Sequence, residues 1–464
     1  MTKTLTAAIW TPRLKPGSGP VYLAIADALE ADIASGKLPP GTRLPPQRAL
    51  AESLGIDFTT VTRAYAEARG RGLLTGKVGQ GTFVRGGRTV PRTSLPAEGR
   101  VDLSMNLPPR FSDAALVGRL WRDIGALEEE GLDLLLQYQA PGGALADRQA
   151  GVQWLASRLP DLGVDRLIIA PGAQSALFAI AGLLAAPGDI IAAEALCYPG
   201  FRALAAQARL TLAPVAMDSE GLLPDALESV CAKQKPKALY LTPTLHNPTT
   251  ATMSLARRQA VIAVARRHNL VLIEDDAYGM LAASAPPPLA MLAPDITWHI
   301  AGLAKCLSPS LRLAYCVVPD ARAASRLSAS IRATAAMASP LTAAIARNWI
   351  ENGTATQLLS AIRKESAARR ALAARLLPPA LVRGGDGFHM WLTLPAPWTR
   401  GEFLTRLTPL GIGAVASDAF ALMAPPEALR LGLGAPQTQD ELAHGLAVIA
   451  DLLAEPPALS SHVV

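Results

Sequence analysis

One lysine stands in an almost wholly apolar stretch near the middle of the chain. Lys305 follows the run from His299 to Ala304, and Lys305 and Lys364 are the only lysines after Lys237. A lysine that is removed from water has a lowered pKa, and its neutral amine can form a Schiff base with an aldehyde, which a guanidinium cannot. The position indicates ε-amine chemistry, although a lysine that snorkels from a strand end would leave the same pattern.

Other polar groups stand directly after apolar runs. The sequence Pro171-Gly172-Ala173-Gln174-Ser175 opens a predicted helix, whose first N–H groups can bind an anion. Asn247 lies in the polar loop 242–249, Arg312 follows Lys305 by seven residues, and Glu274-Asp275-Asp276-Ala277-Tyr278 ends another run. At least one carboxylate must therefore lie at the tip of a buried strand, where it needs a cationic partner.

The elements that must position these groups are buried strands that alternate with helices. Apolar runs predict parallel strands at 166–170, 190–193, 238–241, 270–274, 298–301 and 314–318. Helical patterns at 175–184 and 255–268 fall between them, which predicts an α/β sheet. Open α/β sheets bind ligands at the carboxyl ends of their strands, where the polar groups above occur.

Taken in order, these residues resemble the fold type I pyridoxal-phosphate enzymes, the aspartate aminotransferase superfamily, over about residues 101–450. The resemblance implies an α/β domain with a smaller C-terminal α+β subdomain, to which the predicted strands 388–394 and 429–433 belong. It also implies that Lys305 is the Schiff-base lysine and that Asp275 pairs with the protonated pyridine nitrogen. Together with Tyr278, these two residues would be catalytic.

The same resemblance assigns the remaining contacts of the cofactor and of a substrate. Asn247 and Tyr278 would bind the phenolic oxygen, and Tyr198 would stack on the ring. The phosphate would be bound by Gly172, Ala173, Gln174, Arg312 and the Tyr138 of a neighbouring subunit. Arg430 would receive a substrate carboxylate, a task that suits a bidentate guanidinium.

Three positions depart from the family pattern. Gly302 and Ala304 stand where hydroxyl residues usually help to hold the phosphate, which implies a lower phosphate affinity. Thr250 replaces the glycine that usually follows the Asn-Pro-Thr run, with an effect that the sequence does not show. An alternative is that this aminotransferase-like domain binds no cofactor, but the retention of Lys305, Asp275, Tyr278 and Arg312 would then be accidental.

The positive charge of the chain is confined to its N-terminal part. Residues 1–100 contain 14 Lys and Arg against 7 Asp and Glu, whereas the whole chain carries a net charge of +6. Such a block is typical of a nucleic-acid-binding module joined to a neutral body, although a solvated basic face would give the same count. The order of helices and strands in this N-terminal part must decide between a nucleic-acid-binding module and a solvated basic face.

The pattern of residues 16–85 predicts a winged helix-turn-helix. Helical spacing runs over 21–34, a second short helix begins at Pro46 and ends before Gly55, and Asp57 or Thr59 caps a third helix over 60–71. Two strands around the glycine-rich turn 76–81 form the wing. The module resembles the winged-helix domain of the GntR family of bacterial transcription regulators.

That resemblance implies that the third helix enters the major groove of double-stranded operator DNA. The residues that would contact phosphates and base edges are Arg48, Thr59, Thr60, Thr62, Arg63 and Lys77. Phe58 stands where the family usually has an arginine, so either the base preference is altered or Phe58 contacts a thymine methyl group. A winged helix used for protein contacts is the alternative.

Composition sets limits on other classes of site. The four cysteines have no C-x-x-C spacing and the six histidines never fall at i, i+3 or i+4, which argues against disulfides and a bound metal. The longest apolar stretch, of about twelve residues, is shorter than a membrane span, and the first residues lack a secretory pattern. We expect a soluble protein of the cytoplasm.

Together the two halves resemble the MocR subfamily of bacterial regulators. We predict a DNA-binding domain at 1–84, a linker at 85–99 and an aminotransferase-like domain at 100–464, with a large subdomain at about 110–335 and a small one at about 336–455. The resemblance implies a homodimeric regulator that senses pyridoxal phosphate, and in some cases an amino compound, through a lysine aldimine. A catalytically active aminotransferase with an appended winged helix is the alternative.

Overall fold

The computed structural model describes residues 10–12, 20–35, 37–39, 41–71, 73–77, 81–84, 100–130 and 135–455. The chain divides into two compact units, Met1–Leu95 and Pro96–Val464. The predicted linker 85–99 lies outside the described residues. Each unit is built around its own hydrophobic core.

The first unit consists of three helices and a two-stranded antiparallel sheet: α1 Val21–Ala34, α2 Gln47–Leu54, α3 Phe58–Gly70, β1 Leu74–Lys77 and β2 Gly81–Val84. Gly55 ends α2 with a φ of +64°, a conformation that glycine adopts without strain. Asp57 caps α3 by accepting from the Thr59 amide at 2.7 Å, and α3 begins two residues earlier than its pattern predicts. Tyr65 is buried at the centre, and its hydroxyl donates to the Pro45 carbonyl.

The second unit contains a seven-stranded sheet in the order β4-β12-β11-β10-β9-β5-β6. Its strands are β4 Leu167–Ala170, β5 Ile190–Glu194, β6 Thr211–Val215, β9 Ala238–Leu241, β10 Val271–Asp275, β11 Thr297–Gly302 and β12 Ala314–Val317, with a small hairpin of β7 Met217–Asp218 and β8 Gly221–Leu222. Every one of β4, β9, β11 and β12 is buried along its whole length, as the apolar runs predict.

One predicted strand direction is wrong. The run 314–318 was expected to be parallel to its neighbours, but β12 pairs antiparallel with both β11 and β4. An apolar run indicates burial on both faces and carries no information about direction. Only eleven residues separate β11 from β12, whereas a parallel return needs a longer crossover. The sheet is therefore mixed.

Helices cover the sheet: α4 Ala114–Gly125, α5 Leu145–Leu155, α6 Ala173–Leu184, α7 Pro199–Gln207, α8 Pro224–Gln234, α9 Leu255–Arg267, α10 Leu289–Leu292, α11 Leu303–Cys306, α12 Ala321–Ala335, α13 Pro340–Glu351 and α14 Thr354–Leu376. Short 3-10 turns occupy Ala126–Glu130, Val164–Arg166, Pro309–Leu311 and Ser417–Ala419. None of the helices within the described ranges is long and apolar enough to cross a membrane.

A smaller antiparallel sheet in the order β13-β14-β17-β16 forms the C-terminal part of the second unit. Its strands are β13 Val382–Gly384, β14 His389–Thr393, β16 Val415–Ala416 and β17 Ala428–Gly432, and its helices are α15 Arg400–Leu407 and α16 Gln439–Ala454. The chain enters the second unit through β3 Val101–Asp102, which pairs with β15 Ile412–Gly413 beside this sheet. Residues 103–109 then run toward the large sheet.

Candidate functional site

The ends of the strands and the chain after β3 enclose a cavity of about 380 Å³. It brings together ten of the residues that the sequence singles out, from separate strands, helices and loops of the second unit. They are Gly172, Ala173, Gln174, Tyr198, Asn247, Asp275, Tyr278, Lys305, Arg312 and Arg430. Because these residues are spread over positions 172 to 430 of the chain, only the folded second unit brings them together.

On this cavity wall, Lys305 is half-buried and Asp275 is buried. Lys305 lies in the short helix α11 after β11, and burial, followed by the charge of Arg430, lowers its pKa to about 8. Burial also raises the pKa of the Asp275 carboxyl to about 6, although the Tyr240 hydroxyl that donates to its Oδ2 at 2.9 Å acts in the opposite direction. The other carboxylate oxygen, Oδ1, is buried and has no hydrogen-bond partner among the described residues.

That unpartnered oxygen fits a cationic ring nitrogen. A positive charge beside Asp275 would favour its ionised form and would give Oδ1 the donor that it lacks. Tyr198, the residue that precedes α7, lies on the same cavity, where burial raises the pKa of its hydroxyl. Burial likewise raises the pKa of Tyr278, so both hydroxyls are neutral hydrogen-bonding groups at physiological pH.

The opposite end of the cavity fits an anion. Helix α6 begins after Gly172, whose φ of +88° suits glycine, and no side chain caps its first N–H groups. Arg312 lies beside this helix end, and no carboxylate in the described part of the chain pairs with it. An uncapped helix N-terminus next to an unpaired guanidinium is a physical match for a phosphate. Gln174 instead donates its amide to the Gly200 carbonyl at 2.7 Å.

Asn247 and Arg430 are both buried and contact each other in the cavity lining. The Arg430 Nη1 donates to Asn247 Oδ1 at 3.1 Å, and its Nη2 donates to the Ser104 carbonyl. The Nε of Arg430 is buried and has no acceptor among the described residues. Arg430 therefore projects from β17 into the cavity, a point that the sequence left open, and it retains a donor for an anionic group.

The structure places the three positions that depart from the family pattern, Gly302, Ala304 and Thr250. Gly302 and Ala304 line the cavity, so the two positions contribute no hydroxyl to it. Thr250 has a φ of +64°, in the left-handed region where a residue with a Cβ is strained by roughly 1–2 kcal/mol. Its amide donates to the His246 carbonyl at 2.7 Å, which holds the turn in this conformation.

Sequence reasoning missed two contributors to the site. Residues 104–107, from the chain after β3, also line the cavity, and Asn106 Nδ2 donates to the Tyr278 hydroxyl at 2.8 Å. The Tyr240 hydroxyl donates to Asp275, and the Tyr240 ring stacks on that of Phe201 with ring centroids 3.8 Å apart. A signal for Tyr240 existed, because a tyrosine inside a buried strand needs a partner for its hydroxyl.

Tyr138 is the one predicted cofactor contact that does not line the cavity. Its side chain is 89% exposed, on the chain segment before α5. Leu136 and Trp121 are also exposed, by 73% and 62% of their surfaces. Single exposed apolar side chains are common on protein surfaces, whereas a contiguous patch of them is typical of a surface that contacts another molecule.

The predicted DNA-contacting residues lie on α2, α3 and the wing. Arg48, Thr59 and Arg63 are exposed, and the Arg63 guanidinium lies 4.4 Å from the ring centroid of Tyr22. Thr60 is half-buried, and the half-buried Thr62 hydroxyl is within 2.9 Å of the Gln47 Oε1, so it bridges α3 to α2. The backbone of Lys77 ends β1, and its side chain lies outside the described residues.

Two family models match the chain in this order. The model of bacterial regulatory proteins of the gntR family matches residues 21–84, and the model of aminotransferase class I and II matches residues 122–449. A relative along nearly the whole length is the uncharacterized HTH-type transcriptional regulator YdeF of Bacillus subtilis, with 32% identity over 96% of each chain. The chain belongs to the MocR-type transcriptional regulators.

Other relatives of this MocR-type regulator carry more specific names. The vitamin B6 salvage pathway transcriptional repressor PtsJ of Salmonella typhimurium is 29% identical over 88% of this chain and 93% of its own length. The probable rhizopine catabolism regulatory protein MocR of Rhizobium meliloti is 28% identical over 65% of this chain and 66% of its own. The gntR-type domain implies that the MocR-type regulator binds DNA.

Solved structures share the fold of the second unit. The kynurenine aminotransferase of Pyrococcus horikoshii superposes with a TM-score of 0.70 and 23% identity, over 77% of this chain and 91% of that one. The fold class predicted from the sequence is thereby confirmed. The aminotransferase class I and II family depends on pyridoxal phosphate, and the cavity of this MocR-type regulator has a carboxylate, an uncapped helix N-terminus beside Arg312 and a half-buried lysine that fit it.

Proposed function

We propose that this MocR-type regulator binds operator DNA with its N-terminal domain and senses pyridoxal phosphate, alone or with a small amino compound, in the cavity of its second unit. The domains would be residues 1–84 and 100–464, joined by the linker 85–99. The observation that carries the proposal is the convergence of Lys305, Asp275 and Arg312 on one cavity in a chain that also contains a gntR-type winged helix. As a DNA-binding protein it would act in the bacterial cytoplasm.

Each cavity residue has a role that its geometry supports. When bound, pyridoxal phosphate supplies an aldehyde that condenses with amines and a ring that withdraws electrons. Lys305, whose pKa is lowered to about 8, would hold the cofactor through its neutral amine, and Asp275 would keep the ring nitrogen protonated. Arg312 and the first amides of α6 would bind the phosphate.

The remaining residues would orient the cofactor and the ligand. Tyr278 and Asn247 would bind the phenolic oxygen, and Tyr198 would lie against the ring. Arg430, with its unpartnered Nε, would bind a carboxylate of the amino compound. A ligand that changes these contacts can alter DNA binding only by its difference in affinity for two conformations of the protein.

On the DNA side, α3 would enter the major groove. Thr59, Thr60, Arg63 and the neighbouring Arg48 would contact phosphates and base edges, Thr62 would brace the helix, and Lys77 would extend from the wing. Arg63→Ala and Thr60→Ala should each weaken binding by about 1–3 kcal/mol if they read a base. Unchanged affinity in both variants would exclude this placement of α3.

A homodimer would complete both functions. The exposed side chains of Tyr138, Leu136 and Trp121 support a contact between two copies of the second unit, with Tyr138 reaching the phosphate of the neighbouring subunit. A two-fold dimer would also present two winged helices to paired half-sites of an operator.

The decisive measurement is the binding of the purified protein to the DNA upstream of its own gene, by fluorescence anisotropy, without and with saturating pyridoxal phosphate. We expect the affinity or stoichiometry to change in the wild type and not in Lys305→Ala, which retains the winged helix but loses the amine. An identical response in both proteins would contradict sensing through Lys305.

A second candidate function is transamination. It is favoured by one observation: the half-buried Lys305, the carboxylate of Asp275 and the buried cation Arg430 all line the same cavity, as an enzyme would require. Turnover of an amino donor with an oxo acid, measured with the loaded protein, separates the two functions. Turnover without any effect of the cofactor on DNA binding would favour the enzyme.

A further inference from the structure

The chain just before α2 runs antiparallel to the wing strand β2. Two backbone hydrogen bonds of 2.9 Å join residues 42–44 to β2, and between them Arg43 forms a β-bridge with Phe83. Leu44 is buried in the core of the first unit. Because neighbouring side chains of an extended chain point to opposite faces, Arg43 points away from that core. The fold therefore fixes the backbone of an exposed arginine to the wing.

The side chain of Arg43 lies across the start of β2. A Cβ at Gly81 would lie 3.1 Å from the Arg43 Nε and 3.5 Å from its Nη2. Gly81 has a φ of +113°, which glycine adopts without strain, and its lack of a side chain leaves room for the arginine. Gly81 is the first residue of β2, so the Arg43 guanidinium lies at the end of the wing where β1 and β2 are joined.

The charge of Arg43 is not neutralised within the part of the chain that the structure describes. The carboxylates that form ion pairs in the first unit are engaged by Arg71 and Lys37, and none of those pairs includes Arg43. Arg71 alone contacts three of them, Asp27, Glu30 and Glu67. An exposed guanidinium without such a partner is available to an anion from outside the chain.

The neighbouring cations indicate which kind of anion this is. Arg48 and Arg63, both predicted to contact DNA, also lack an ion pair with any described carboxylate, and their guanidinium groups lie over the rings of Phe58 and Tyr22. The unneutralised arginines thus include one on α2, one on α3 and one beside the wing. Half to two-thirds of the hydrogen bonds between proteins and DNA go to phosphates and sugars, and arginine is a frequent donor.

We propose that Arg43 binds a backbone phosphate of the operator DNA beside the wing. The inference rests on the proposed function, because it requires the winged helix to bind duplex DNA. A phosphate contact carries no sequence information, so Arg43 would contribute affinity and hold the position of the wing on the duplex, and it would not select a base.

The test measures the binding of the full chain to DNA by fluorescence anisotropy at a constant concentration of pyridoxal phosphate. The operator comes from selection on random duplex DNA, and a shuffled duplex of the same composition is the second ligand. Affinities are measured from about 50 to 300 mM salt, where phosphate contacts change the affinity strongly. The variants are Arg43→Gln, Arg43→Lys and the matched control Arg71→Gln, whose guanidinium is already paired with three carboxylates.

We expect Arg43→Gln to reduce the slope of log affinity against log salt concentration by about 0.9, the contribution of one phosphate contact in duplex DNA. The affinity near 0.1 M salt should fall about fivefold to tenfold, by the same factor for the operator and the shuffled duplex. Arg43→Lys should retain the slope, because an ammonium also neutralises a phosphate. Arg71→Gln should leave the slope unchanged.

A scan of the operator then locates the phosphate. Each phosphate near the selected site is replaced in turn by an uncharged methylphosphonate. One such replacement should weaken the wild type and have no further effect on Arg43→Gln, because both changes remove the same contact. Arg43 is exposed, so the variant should fold as the wild type does, which circular dichroism checks.

An unchanged salt slope in Arg43→Gln would overturn the assignment, as would a scan in which every methylphosphonate weakens Arg43→Gln and the wild type equally. A loss that is confined to the operator and is not restored by Arg43→Lys would mean that Arg43 reads a base. Failure of the proposed function has a different signature, because the wild type would then select no duplex at all, and the role of Arg43 would fall with it.

Discussion

At the scale of single residues, burial would prepare the Lys305 amine for reaction with an aldehyde. The lysine pKa is lowered to about 8 because the ammonium is desolvated and lies near Arg430. Only the neutral amine attacks an aldehyde, so the rate at which the cofactor-free protein takes up pyridoxal phosphate should rise with pH through a midpoint near 8. Stopped-flow absorbance over pH 6–11 measures this directly. A midpoint near the ordinary value of 10.5 would show that Lys305 is not desolvated in solution.

Phe58 is the residue whose chemistry departs most from a polar DNA-reading helix. Phe58 is the first residue of α3 and is 42% exposed, and its ring centroid lies 5.8 Å from the Arg48 Cζ. The only apolar group on a base edge in the major groove is the thymine methyl. Replacing the contacted thymine by uracil removes that methyl alone, and should weaken binding about fourfold, the value expected for one buried methyl group.

The operator for this experiment comes from selection on random duplex DNA, followed by a scan that replaces each thymine by uracil. Phe58→Ala provides the comparison, since without the ring the uracil substitution should have no effect. If Phe58→Ala and the wild type lose the same affinity at the same position, another residue contacts that methyl group.

At the scale of elements, the packing of segment 103–109 against β17 and the residues after it depends on two glycines. A Cβ at Gly434 would lie 1.8 Å from the Leu107 carbonyl oxygen, and one at Gly432 would lie 2.3 Å from that of Met105. Gly434→Ala should therefore displace the segment and lower the free energy of unfolding by about 1–3 kcal/mol, as overpacking does.

Gly182→Ala is the matched control, because it lies within α6 and a Cβ there meets nothing within 4 Å. That variant should be neutral or more stable by up to about 1 kcal/mol, since alanine favours a helix. Urea denaturation of both variants gives the comparison. Equal stability of the two variants would mean that the segment can shift at no cost. Asn106 would then not be fixed at the cavity wall.

The same elements show what could be predicted from the sequence. Helix α1 and the strands β9 and β12 fall at or within one residue of their predicted bounds, because apolar periodicity reports burial directly. The direction of β12 could not be predicted in this way. The role of Asn106 in the cavity could not be predicted for another reason. It lies 199 residues before Lys305 in the chain, so no local spacing joins the two residues.

At the scale of the whole molecule, the site residues differ in whether one chain is enough to supply them. Ten of them converge on the cavity, but Tyr138 is 89% exposed and does not line it. If Tyr138 binds the phosphate of a neighbouring subunit, each complete site contains Lys305 from one chain and Tyr138 from the other. The residue would then be ordered by assembly, and the cofactor affinity would depend on dimerisation.

This arrangement predicts complementation between two defective chains. Lys305→Ala cannot hold the cofactor covalently, and Tyr138→Phe should lose phosphate affinity because the ring remains but the hydroxyl is absent. In a mixed dimer one site carries both defects, and the other is entirely wild type. In the purified mixed dimer, one site in two should therefore bind with wild-type affinity. Co-expression with two tags, tandem purification of the mixed dimer and titration with pyridoxal phosphate measure that fraction. A mixed dimer in which no site regains wild-type affinity would place Tyr138 outside the cofactor site, and the exposed surface around it would then need another explanation.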